Sequence, residues 1–236
     1  MYEIYRHLSK VFLALLIASM ILPSNQAAAA VCQNLPPSKL LVYDIQTSRL
    51  EEEKVPASKL DQQMPPGALT SMHTMMLTMS NLISLFDIHH RPVAGSDGTV
   101  CDAPEFVRIG FGSSQRKIFF ADTAADDACV RRQMLEHETA HTQAFDSTID
   151  RFIDDTKADF ERGMKALKQT PAPSAELAKT RWEEGLRLIL TEAKQQLLTE
   201  LRAASAGVDD PAALTALEIA CNGKIKELER RSSADP

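Results

Sequence analysis

The sequence predicts an α+β chain in which a small antiparallel β-sheet is followed by a long helical hairpin and a C-terminal helix. Three observations predict it. Short runs rich in β-branched and aromatic residues, bounded by turn formers, occupy the first half. From Asp127 onward the apolar residues recur at helical spacing. That spacing is interrupted only near Pro171-Ala172-Pro173 and again over Ser205–Asp210. Strands first and helices after is the segregated order of an α+β fold.

The chain opens on a segment that is not expected to belong to the fold. Met1–Lys10 carries Arg6 and Lys10, Val11–Leu22 is apolar except for Ser19, and Pro23–Ala30 ends in four alanines. This is the pattern of a secretory signal peptide cut after Ala30, which places the protein in the periplasm or outside the cell. The apolar run is shorter than the roughly 20 residues that a bilayer needs. Cys32 follows Val31 rather than the small residue that precedes a lipid-modified cysteine, so a lipid anchor is not expected. No later stretch approaches membrane length, and stable membrane insertion is not expected.

Leu40–Gln46 reads as a strand. Thr47–Pro66 is polar and contains proline, with a turn of helix at Ser58–Gln63. Met72–Met79 fits either a helix face or a strand face, and its methionines read as core filling rather than as copper ligands. Asn81–Arg91 is a strand, and Val93–Thr99 is a loop. Glu105–Phe111 and Arg116–Ala121 are two further strands around Gly112-Ser113-Ser114-Gln115, the pattern of a hairpin.

Val130, Met134, Phe145, Ile149, Phe152, Phe160, Met164 and Leu167 then mark one face of a very long helix ending before Pro171. Ser174 is a suitable N-cap for a second helix, Ala175–Ala203, whose stripe is Trp182, Leu186, Ile189, Ala193, Leu197 and Leu201. Pro211 opens a third helix carrying Leu214, Leu217, Cys221, Ile225 and Leu228. Striped helices joined by a short loop pack antiparallel. The expected division is residues 1–30 as signal peptide, 31–168 as an α+β domain, and 169–236 as a helical extension packed on the first long helix.

The 236 residues include 26 basic and 32 acidic side chains, a net charge of −6. No basic patch stands out, so nucleic acid is not an expected partner. Four cysteines, Cys32, Cys101, Cys129 and Cys221, all lie beyond the signal segment. In an oxidising compartment they suggest two disulfides, with three connectivities open. The expected hairpin favours Cys101–Cys129, which leaves Cys32–Cys221. No C-x-x-C spacing supports metal binding by these thiols.

Within the first long helix lies His137-Glu138-Thr139-Ala140-His141, an H-E-x-x-H segment. Residues four apart share a helix face, so the two imidazoles can reach one Zn2+ ion. His137 and His141 are the candidate metal ligands. Glu138, beside the first histidine, is the candidate general base toward a zinc-bound water. The competing reading is two histidines on a helix flank held by ordinary hydrogen bonds.

A catalytic zinc takes three protein ligands and a water. The metzincin pattern would continue with a glycine and a third histidine, but Ala144 and Ser147 occupy those positions, which excludes that class. If the chain reverses near Ala172, equal rise in both helices sets Thr139 opposite Ser205. Glu200 is then the best-placed carboxylate, ahead of Glu183, Glu184 and Glu192. His73, His89 and His90 are rivals from the sheet. Of the adjacent pair, at most one can face the metal, since neighbours on a strand point to opposite faces.

The order of a sheet followed by an H-E-x-x-H helix resembles the core of zincin peptidases. Three segments extend the likeness: Thr74-Met75-Met76-Leu77-Thr78, Cys101-Asp102-Ala103-Pro104, and Cys129 eight residues before the motif. Over Gly67–Ile153 they resemble secreted proteobacterial proteins of unknown function that are similar to predicted secreted zinc-dependent proteases. The resemblance implies a periplasmic protein with a zincin-like core and a cysteine clamp. It carries over only His137, Glu138 and His141 and implies no substrate. The expected function is an exported zinc metallopeptidase acting on a peptide or protein of the envelope. A hydrolase of non-peptide amides is a third possibility. The rival from another class is a non-catalytic envelope protein that offers its helical hairpin to a partner, with or without a structural metal.

Overall fold

The structure, a computed structural model, describes residue 32 and residues 35–45, 50–60, 69–73, 76–95, 98–168 and 171–232. The expected signal peptide, residues 1–30, lies outside these. So do the side chains of Met72, His73, Met75 and Met79. Among the described residues, seven strands, β1 (Lys39–Ile45), β2 (Glu51–Val55), β3 (Leu69–His73), β4 (Met76–His89), β5 (Pro92–Ala94), β6 (Val100–Asp102) and β7 (Phe106–Ala121), precede three long helices. These are α3 (Ala128–Lys168), α4 (Ala175–Val208) and α5 (Pro211–Ser232). The short helices α1 (Ala57–Leu60) and α2 (Asp122–Ala125) flank β2 and β7.

The expected antiparallel sheet is a mixed one. Its centre is β7, with β4 antiparallel on one edge and β3 beyond β4. On the other edge β1 and β2 both run parallel to β7, with Lys39 opposite Phe106 and Glu51 opposite Lys117. Parallel pairing needs a long connection between the partners, and the β3–β4 excursion supplies it. The expected hairpin is also corrected: the strands expected over Glu105–Phe111 and Arg116–Ala121 merge into one 16-residue strand, Phe106–Ala121. Gly112-Ser113-Ser114-Gln115 has turn-like composition, but β4 runs alongside it, and the mismatch is taken up as an irregularity between Ser80 and Leu82. Glycine at 112 answers a different need. A Cβ there would lie 2.4 Å from the carbonyl oxygen of Ile45, so only glycine lets β1 close on β7. The loop expected over Val93–Thr99 is a small ribbon, β5 paired with β6, around a turn closed by Gly95 N–H donating to Thr99 O at 2.7 Å.

The helices follow the stripes of the sequence, but α4 runs to Val208, five residues past the expected Ala203 and into the segment expected as a turn. Ser174 Oγ accepts from Leu177 N at 3.2 Å, the N-cap of α4. Phe145, Ile149, Phe152, Phe160 and Met164 of α3 bury against Val107, Ile109 and Phe111 of β7 and against Trp182, Leu186, Leu197 and Leu201 of α4. That core joins the sheet and the helical hairpin. A second cluster joins Ile118 and Phe120 to Val130, Met134, Leu217, Ile225 and Leu228. Within α5 the backbone leaves helical geometry over Ala220–Gly223, where Cys221 (φ 54°), Asn222 (φ 58°) and Gly223 (φ 77°) are left-handed. Gly223 takes that conformation without steric penalty, whereas Cys221 has to be held in it.

The disulfide Cys129–Cys221, with Cα atoms 5.9 Å apart, does part of the holding, and a second disulfide joins Cys32 to Cys101, with Cα atoms 5.8 Å apart. The expected pairs Cys101–Cys129 and Cys32–Cys221 are therefore corrected. They assumed a hairpin, but Cys101 and Cys129 flank opposite ends of β7, which at 3.3 Å per residue is about 50 Å long. Disulfides fit an oxidising compartment. Among the described residues no helix is long and apolar enough to cross a membrane.

On β1, Asp44 faces Asp146 and Asp150 of α3 and Arg116 of β7. Desolvation first, then Asp150 and Asp146, push its carboxyl above the ordinary 3.8, against the pull of Arg116. Its proton is thus held more tightly folded than unfolded. The penalty for ionising it is absent below pH 3.8 and complete above the raised value. Asp44→Asn should raise Tm at pH 7, and the gain should vanish at pH 3.5. Thermal melts at the two values check this, and because Asp44 is exposed the gain should be small.

Candidate metal centre

The α3 stripe that packs on the sheet passes through Met134, Glu138 and Phe145. Glu138 is thus the one carboxylate in an apolar seam, and it is 0% exposed. A buried carboxylate costs stability unless it is paired, so packing alone does not select it. His137 and His141 lie to one side of this seam and turn toward the corner between α4 and α5. Their side chains are 9% and 6% exposed.

The corner supplies the third group. Helix α4 ends at Val208, and Asp209 is its C-cap, the backbone N–H donating to Ser205 O at 3.2 Å. Asp210 turns the other way, its carboxylate accepting from Ala212 N at 2.8 Å and Ala213 N at 3.1 Å, which caps α5. Asp209 Oδ1 lies 3.2 Å from His137 Nε2 and 3.0 Å from His141 Nε2. The two nitrogens are 3.3 Å apart. A carboxylate at a helix C-terminus sits at the negative end of the dipole, so Asp209 needs a positive or donating neighbour.

These three contacts cannot all be good hydrogen bonds. If both Nε2 atoms carry protons toward Asp209, the two N–H groups confront each other. If one nitrogen is unprotonated to accept from the other, a lone pair faces the carboxylate on one edge. A small cation between the three atoms removes the conflict on every edge. The size also fits, because tetrahedral ligands about 2.05 Å from a zinc are about 3.3 Å apart. His137, His141 and Asp209 form the single such group among the described residues. Behind His141, Nδ1 lies 3.2 Å from Ser205 Oγ, the kind of outer contact that fixes a ligating ring.

The other ligand candidates are used elsewhere. Glu200 pairs with Arg151 at 3.9 Å and accepts from Gln196 at 3.0 Å. Arg151 is about 15 Å along α3 from His141, so Glu200 does not reach the centre. His90 is bound through Nδ1 to the buried Asp102 and through Nε2, at 3.4 Å, to Glu183. Glu183 and Ser205 are about 33 Å apart on α4. His89 is exposed, stacking on Phe106 and pairing with Glu105 at 3.2 Å. The side chain of His73 is outside the described residues. Asp209 does not stand out in the sequence because Ser205–Asp210 has the composition of a plain turn and the expected carboxylate ligand was a glutamate within the helix. The signal that finds it is the helix pairing itself. His141 lies opposite Ser205, and Asp209 follows one turn later.

Compared with known proteins, the chain matches no family model, no curated protein and no solved structure, so the functional reading rests on these side chains alone.

Proposed function

We propose that the protein is an exported zinc-dependent hydrolase of peptide bonds, with His137, His141 and Asp209 as metal ligands and Glu138 as general base. The observation that carries the reading is the triangle of ligand atoms with edges of 3.0, 3.2 and 3.3 Å. Two neutral imidazoles and one carboxylate suit zinc. Three protein ligands leave a fourth position for water, as in catalytic rather than structural zinc sites. The place of the H-E-x-x-H segment, on a long helix whose apolar face packs on the sheet, supports the same reading.

A zinc held there supplies an acidified water and a polarised scissile carbonyl. Glu138 accepts the proton of the attacking water and returns it to the leaving amine. Its dry surroundings strengthen each of these interactions relative to water. Asp209 completes the ligand set from the α4–α5 corner.

A second reading has its own observation. Both histidines are nearly enclosed, and the cavity beside His141 holds only about 30 Å3. A structural ion that locks α3 to the α4–α5 corner would look similar, with the helical hairpin left to bind a partner.

Metal content comes first as the test. The disulfide-bonded chain, purified without chelator, should carry about one zinc per molecule, and the His137→Ala, His141→Ala double variant none. The loaded protein should then cleave a quenched peptide library. Zinc without cleavage selects the structural ion, and no zinc in either protein overturns both readings.

A further inference from the structure

Behind the metal centre, between β4 and the helices, lies a cavity of about 30 Å3. Four of its lining side chains carry hydroxyls: Thr78 and Ser80 from β4, Thr142 from α3 and Ser205 from α4. Phe145 and Leu201 supply the apolar wall. Among the described residues no Lys, Arg, Asp or Glu lines it, so it suits a neutral guest. One water needs about 10–15 Å3 and two or more polar partners.

Two of the hydroxyls have protons or lone pairs to offer. Thr78 is 7% exposed, and its Oγ1 has no hydrogen-bond partner among the described residues. Such a buried orphan ordinarily signals a solvent molecule. Ser205 Oγ lies 3.2 Å from His141 Nδ1. With Nε2 directed at the metal, the neutral ring of His141 carries its proton on Nδ1. Ser205 then accepts from Nδ1 and must send its own hydroxyl proton elsewhere. Thr142 is already committed, donating to Glu138 O at 3.1 Å.

We propose that this cavity is an internal water site, in which water bridges Ser205 and Thr78 and completes the outer shell of His141. The sequence of contacts is His141 Nδ1–H to Ser205, Ser205 O–H to water, and water to Thr78. A neutral serine is a weaker orienting partner than a carboxylate, and the bridging water ties it to the rigid centre of the sheet. Thr78 and Ser205 are thus positioning residues. Their link to the ring rests on the metal reading above, whereas the water site itself does not.

The experiment is therefore run first without metal. A high-resolution crystal structure of the metal-free wild type should show water within hydrogen-bond reach of Thr78 Oγ1 and Ser205 Oγ. Thr78→Val, nearly the same shape, should lower Tm by about 2–4 °C, because it strips a partner from that water. A dry cavity predicts the opposite sign, since replacing a buried orphan hydroxyl with a methyl group stabilises. An unchanged or higher Tm, or an empty cavity, overturns the proposal. With metal, Thr78→Val should weaken zinc binding about tenfold, the lower end of the range for outer-shell partners. Unchanged zinc affinity in a variant that has lost the water would overturn the link to His141. A wild type that binds no zinc but shows the water would refute the metal reading and leave the water site standing.

Discussion

Asp209→Ala should cost the protein its zinc. A fall in affinity of at least about 100-fold is expected, more than loss of an outer-shell partner brings, because one of three ligands is removed. Competition against a chromophoric chelator measures it. The variant should fold, since the C-cap of α4 uses the backbone N–H of Asp209 and not its carboxylate. Two neighbours serve as controls. Asp210→Ala removes the cap of α5 and should cost about 1 kcal/mol of stability while zinc affinity holds. Glu200→Gln should change neither, because Glu200 faces Arg151. If Asp209→Ala kept wild-type affinity, the triangle would be a hydrogen-bond cluster and the proposed ligand set would be wrong.

Glu138→Gln should separate the chemistry from the metal. Gln keeps the length and most of the packing of Glu but cannot take a proton from water. Turnover should fall about 10²–10⁴-fold with zinc content unchanged. Steady-state kinetics on the best library peptide, with zinc measured in the same sample, check both parts. The loss should fall in kcat, because the proton is moved in the transition state. Persistent turnover would assign the base elsewhere. A variant indistinguishable from a wild type that is itself inactive would bring the structural ion and the partner-binding hairpin forward.

How legible the fold was depended on the range of the interaction that decides each part. Helices α3 and α4 were readable because their stripes are local, and the cap at Ser174 and the start at Pro211 are chemical signals within a few residues. The sheet was not readable to the same degree. Gly112–Gln115 has the composition of a turn, yet it lies within β7 because distant β4 and β1 pair alongside it. Once that strand was broken in two, the antiparallel sheet and the disulfide Cys101–Cys129 followed from the same error. At the site, His137, Glu138 and His141 were visible as a motif, and helix rise set Thr139 opposite Ser205, two residues from the observed match of His141 with Ser205. Asp209 was hidden because it belongs to the corner and not to a stripe. Its role comes from where α4 stops, at Val208 rather than the expected Ala203, and element ends are the least legible part of a sequence.

The placement of β7 also bears on how the chain is made. Ribosomes deliver the N-terminus first. By the time residue 105 has emerged, β1, β2, β3 and β4 all exist, yet β1 and β2 have nothing to pair with, because both dock only on β7. Among the described strands, only the β3–β4 hairpin and the small β5–β6 ribbon can close, and isolated two-stranded pieces are marginal in water. The nascent polypeptide therefore passes through a stage rich in unpaired strand edges and in Leu, Ile and Phe with no helix to cover them. That stage invites aggregation and proteolysis, and it ends only when Phe106–Ala121 arrives and every neighbour can be seated at once.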